Sequence, residues 1–127
     1  MSGKEILVDT NILLYLLNGS DTLEEILQGK DVYISFITEL ELTGKKISDN
    51  EDAKITQLLN DCSVIALNNS IKAKYKEIRS KYKLKLADAV IAATSIVYDM
   101  PLITADKQFK TIKELTLVTY HHGVDPA

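Results

Sequence analysis

Apolar positions follow two alternating rhythms along the chain. Short runs with strand character occur at Glu5 to Val8, Val32 to Ser35, Ser63 to Leu67, Leu102 to Thr104 and Leu115 to Thr119. Between them, apolar residues recur at helical spacing and predict helices over Asn11 to Leu17, Thr22 to Leu27, Ile37 to Gly44, Glu51 to Asn60, Ser70 to Tyr82 and Asp88 to Tyr98. No repeat, low-complexity tract or linker breaks the series, so residues 1–127 read as one domain. Strands separated by helices need crossover connections. The expected fold is a three-layer α/β/α arrangement around a mostly parallel sheet of roughly five strands, covered on both faces.

One junction disturbs the apolar pattern. In EILVDTNILLYLL two apolar runs meet at Asp9-Thr10-Asn11. A carboxylate buried alone costs several kcal/mol or is neutralised, so Asp9 needs a partner, a cation or a task. The fold class locates it: sites in open parallel sheets form beyond the carboxyl ends of the strands, and Asp9 directly follows the first strand.

Other acids converge on that edge. Asp88 opens a predicted helix, where the helix dipole favours its ionised form. The helix from Asp88 to Asp99 runs about 16 Å away from the edge, and the strand from Pro101 to Asp106 returns about the same distance. Glu41, in the opening turns of the helix after the strand Val32 to Ser35, joins them if that strand is parallel; periodicity does not choose between it and Glu39. Each acid has a structural reading as well. Asp9 fits a helix start, Thr38-x-x-Glu41 fits a capping box, and Asp106 fits a turn or cap. Four acids at one edge repel one another unless cations share them, and oxygen-only ligands suit Mg²⁺ or Mn²⁺. The expected chemistry is metal-dependent phosphodiester hydrolysis. His121 and His122 lie in the terminal stretch HHGVDPA and read as surface residues.

Charge modifies this picture. The chain carries 15 basic and 18 acidic residues, a net charge of -3, which opposes polyanion binding. From Lys72 to Lys85, however, seven basic residues face one acid, Glu77. Ile71, Tyr75, Ile78 and Tyr82 would form the buried stripe of that helix and leave the lysines outward, either as a solvated face or as a guide for a polyanion through Lys81, Lys83 and Lys85. No apolar run reaches the roughly 20 residues of a membrane span, and Met1-Ser2-Gly3-Lys4 leads straight into a strand, so a cytoplasmic protein is expected. The single cysteine, Cys62, excludes an intrachain disulfide and fits a small buried hydrophobe.

Four motifs occur in order: Val8-Asp9-Thr10-Asn11; Ser35-Phe36-Ile37-Thr38-Glu39-Leu40-Glu41-Leu42; Asp88-Ala89-Val90-Ile91-Ala92-Ala93; and Leu102-Ile103-Thr104-Ala105-Asp106-Lys107-Gln108-Phe109. Together they resemble a PIN-domain ribonuclease, and more narrowly the VapC-type toxins of toxin–antitoxin pairs, nearly end to end. The resemblance selects Glu41 over Glu39. It implies that Asp9, Glu41, Asp88 and Asp106 surround a metal site, with Thr10, Asn11 and Thr104 orienting carboxylates or water, and that Ala89, Ala92 and Ala93 let their helix pack closely on the sheet. It also implies an RNA substrate, a homodimer and a small antitoxin partner. Family members also include RNA-processing nucleases without a toxin role. A catalytically silent binding module is the remaining alternative. A phosphorylatable receiver domain lacks its acceptor acid, since the middle strand leads into Asn68-Asn69, and a haloacid-dehalogenase-like phosphatase would need an acid where Asn11 stands.

Overall fold

A computed structural model describes residues 3–44 and 48–121. Met1, Ser2, residues 45–47 and the stretch from His122 onward lie outside the described residues, and with them the surface position expected for His122. Five strands, β1 (Glu5–Val8), β2 (Asp31–Ser35), β3 (Ser63–Ile65), β4 (Leu102–Thr104) and β5 (Leu117–Thr119), form one sheet in the order β3-β2-β1-β4-β5. Every neighbouring pair is parallel, so the sheet is wholly parallel, beyond the mostly parallel expectation. Six helices connect or flank the strands: α1 (Thr10–Leu17), α2 (Asp21–Leu27), α3 (Phe36–Thr43), α4 (Asp49–Asn60), α5 (Asn69–Lys81) and α6 (Leu86–Tyr98).

Strand alternation divides the core between the two faces. Ile6, Val8, Ile34 and Ile103 point toward α1, α2 and α4 and pack with Ile12, Leu13, Leu23, Leu27 and Ile55. Leu7 and Leu102 point the other way, into a second cluster with Ile71, Ile78 and the alanines of α6. Ala89, Ala92 and Ala93 are fully buried, as close packing of α6 requires. Each fully buried leucine or isoleucine contributes roughly 1.5–3 kcal/mol. The helix α3 serves both clusters, placing Phe36 and Ile37 on one and Leu42 on the other. It therefore sits at the carboxyl edge of the sheet, touching both α1 and α6.

The differences from the sequence pattern lie at element ends. Helices begin earlier than apolar spacing suggests because polar caps start them: Ser48 accepts from Glu51 N, so α4 starts at Asp49. α6 also starts early, at Leu86, although Lys85 before it makes no side-chain cap bond, and this leaves Asp88 in the first turn instead of at the first position. The strand β3 ends at Ile65, short of Leu67, which is 43% exposed at the sheet edge. β5 starts at Leu117, and a 3₁₀ helix over Lys107–Thr111, absent from the expectation, follows β4. Cys62 is half-buried and not enclosed.

Candidate functional site

Strand order reverses between β1 and β4, because β2 and β3 extend the sheet on one side of β1 while β4 and β5 extend it on the other. The crevice beyond these two strands is the expected site in such a sheet. Val8 is paired with Ile103, so Asp9, just past β1, and Thr104, the last residue of β4, stand side by side at the sheet's edge.

Asp9 caps α1: its Oδ1 accepts from Ile12 N at 2.9 Å. Its other oxygen, Oδ2, accepts a short hydrogen bond from the Thr104 hydroxyl. The Thr104 oxygen in turn accepts from Asp106 N at 3.0 Å, and Asp106 caps the 3₁₀ helix by accepting from Gln108 N at 2.9 Å. Asp9 and Asp106 are thus caps, in agreement with their structural readings, and also members of one chain of hydrogen bonds. The capping-box reading of Thr38 and Glu41 is overturned, because Ser35 starts α3 and accepts from Ile37 N. Thr38 is instead buried inside the helix, on the face it shares with Glu41.

Thr10 joins the two sides of the crevice. Its hydroxyl lies 2.7 Å from Glu41 Oε1 and 3.2 Å from Thr38 Oγ1. Its single proton serves the carboxylate best, so of its two acceptors Glu41 Oε1 takes the stronger bond and Thr38 Oγ1 the weaker, longer contact. Thr38 is the residue that motif reading passes over as a cap; its position one helical turn before Glu41 is the available signal. Asn11 is exposed, and among the described residues its side chain makes no hydrogen bond to the four acids.

The acids feel one another. Burial pushes the Asp9 carboxyl up from 3.8 to about 6, the bonds from Thr104 and Ile12 N partly oppose this, and the charges of Asp88 and Asp106 push it further up. Asp88 is raised too, first by burial, then by Asp106 and Glu41, with Lys85 pulling the other way. All four sequence-predicted acids therefore belong to one electrostatic cluster at the mouth of the crevice. Among the described residues, no three acids, histidines or cysteines stand close enough to hold a metal ion as they are placed. His121 is exposed, as expected of a surface residue.

A groove of about 700 Å³ lies elsewhere, running beside α1, α2 and α4, floored by Leu13, Leu16 and Leu58 and edged by Asp21, Glu24 and Asp61. Among the described residues, no helix is long and apolar enough to cross a membrane.

A wholly parallel sheet with acids at its switch point defines an α/β protein with an acidic crevice beyond β1 and β4. Residues 6–115 match the family model described as PIN domain, and the chain belongs to that family. Within it, the chain is similar to VapC-type toxins. A toxin–antitoxin complex from Klebsiella pneumoniae shares 32% identity over 90% of this chain and 96% of that one, with a TM-score of 0.77. VapBC2 from Rickettsia felis, bound to a DNA fragment from its promoter, shares 23% identity over 91% and 98% of the two chains with a TM-score of 0.82. VapBC-1 from nontypeable Haemophilus influenzae shares 24% over 91% and 97%, with a TM-score of 0.76. No curated protein matches the sequence.

Proposed function

We infer that the protein is a Mg²⁺- or Mn²⁺-dependent endoribonuclease and the toxin of a toxin–antitoxin pair, acting in the cytoplasm. The observation that carries this reading is the electrostatic coupling of Asp9, Asp88, Asp106 and Glu41 at the switch point of a PIN-domain sheet. Among the described residues, the charges that shift Asp9 are Asp88 and Asp106 and those that shift Asp88 are Asp106, Glu41 and the single cation Lys85, so the cluster has an excess of negative charge that a hard divalent ion would offset. The donor set fits such an ion, since every side chain involved is an oxygen donor. Asp9, Glu41, Asp88 and Asp106 would hold it. When bound, the ion supplies activation of water and neutralisation of the charge that builds on an attacked phosphodiester.

The protein's own groups have separable tasks. Thr104 fixes one oxygen of Asp9 and, through the Asp106 amide, the start of the 3₁₀ helix, so two acids are oriented by one hydroxyl. Thr10 holds Glu41 toward the crevice. RNA reaches the acids along the basic end of α5, in the region of Lys81, Lys83 and Lys85.

The partner part of the reading also has physical support. The groove beside α1, α2 and α4 offers an apolar floor and acidic rims, which suit a small antitoxin presenting an apolar helix with basic flanks. Leu40 on α3 and Leu86 on α6 are 56% and 54% exposed beside the acids, apolar area that a homodimer would cover.

Incubation of the purified protein with single-stranded RNA and Mn²⁺ tests the reading. Cleavage is expected, with loss in chelator and in Asp9→Asn and Asp88→Asn; cleavage that survives chelator or both substitutions contradicts it. Tight RNA binding without cleavage under any divalent metal would instead favour the silent binding module.

A further inference from the structure

The basic run on α5 does not present one continuous surface to the acids. Lys74 is turned to Glu77 at 2.8 Å, and Lys72 stands seven residues before Arg79, roughly 10 Å further along the helix. Beyond the end of α5, by contrast, a cavity of about 430 Å³ is lined by Arg79, Tyr82, Lys83, Leu84, Lys85 and Gln108.

Two of these residues tie the cavity to the crevice. Lys85 precedes Asp88 by one helical turn at the start of α6. Gln108 lies on the 3₁₀ helix, its backbone N–H donating to Asp106 Oδ1. The remaining walls are held in place. The Arg79 guanidinium lies over the Tyr75 ring at 5.8 Å and donates to its hydroxyl at 3.2 Å, while the Tyr82 hydroxyl donates to Glu114 at 3.0 Å and fixes that ring. Three cations and a side-chain amide around a small concavity suit a tetrahedral dianion or monoanion with several acceptor oxygens.

We propose that this cavity is a subsite for a backbone phosphate of the RNA flanking the scissile bond, held by Arg79, Lys83, Lys85 and Gln108. It rests on the nuclease reading and adds to it. The subsite anchors the strand next to the acids, which would themselves repel it, and it makes recognition depend on a particular phosphate rather than on the whole basic helix.

The test uses a short single-stranded RNA series in which one phosphate at a time is replaced by a neutral methylphosphonate, with binding measured in chelator so that the strand stays intact. Wild-type protein should lose about tenfold in affinity at one position of the series. In the Arg79→Ala/Lys83→Ala variant that position should become indifferent, and the slope of log affinity against log salt should fall by about 0.7 for each phosphate no longer neutralised. Lys85 is left unchanged so that Asp88 keeps its surroundings, and Lys83→Ala alone, at an exposed position, should show a smaller change in the same direction. A Lys72→Ala/Lys76→Ala control should keep the position-dependent loss. Equal weakening by the control, no sensitive position in wild-type protein, or no measurable RNA binding would overturn the subsite. Binding with this signature but no cleavage in Mn²⁺ would sink the nuclease reading alone.

Discussion

Asp9 and Asp106 leave the ends of adjacent strands, whereas Glu41 and Asp88 are carried by helices, and the two pairs are held differently. Asp9 has each oxygen committed to a partner, Thr104 or Ile12 N, and Asp106 is fixed as a cap. Glu41 is exposed and takes a single hydroxyl, that of Thr10; Asp88 is half-buried. The strand side is therefore preorganised by its hydrogen bonds; burial pushes up both Asp9 and Asp88, and on the helix side Glu41 has the greater freedom to adjust. A cation binding between them would meet one fixed wall and one that closes by side-chain movement.

Breaking both sides at their acids should give the largest effect. Asp9→Asn and Asp88→Asn should each lower RNA cleavage at least about a hundredfold in steady-state assays, while circular dichroism stays native. A fall confined to one side would mean that the other is a bystander.

Protonation separates the sides next. The Asp9 pKa is raised from 3.8 to about 6, so its contribution to stability is fully present below pH 3.8 and is lost as pH rises through 6. In metal-free protein this makes the ionised side chain a liability of about 3 kcal/mol at neutral pH. The unfolding free energy of Asp9→Asn relative to wild type should accordingly improve by up to about 3 kcal/mol between pH 4 and pH 7.5 in chelator. A flat difference would show that Asp9 is not strained by burial.

Supporting hydroxyls give smaller changes. Thr104→Val removes the donor to Asp9 and the acceptor for Asp106 N, both in a buried setting. It should weaken Mn²⁺ affinity by about 10–100-fold and cost about 1–3 kcal/mol of stability, as read by metal titration and denaturant melts. Thr10→Val touches only the adjustable side and should cost a few-fold in affinity, less than Thr104→Val. The reverse order would invert the assignment of fixed and mobile walls.

The legibility of the sequence divides along similar lines. Strand-end acids can be placed because strand direction and helix length are set by period and rise, which fixes Asp9, Asp106 and Asp88 at one edge. Glu41 needs motif resemblance, since Glu39 has the same chemistry and differs only in which way the helix turns. Thr38 is misread because a hydroxyl three residues before a glutamate is the pattern of a cap, and only the placement of Ser35 at the true start removes that meaning. Gln108 and the 3₁₀ helix escape because a five-residue turn leaves no periodicity to detect. Neither grooves nor exposed leucines are legible in principle, as they depend on which apolar residues the packing leaves uncovered.

Titration calorimetry of Mn²⁺ into wild-type protein, Asp9→Asn, Glu41→Gln, Asp88→Asn and Asp106→Asn tests the central claim most directly. If one ion joins the two sides, wild-type protein binds Mn²⁺ and neutralising any of the four acids weakens binding about tenfold or more. Affinity unchanged in Glu41→Gln and Asp88→Asn, or no binding by wild-type protein, would contradict a shared divalent site.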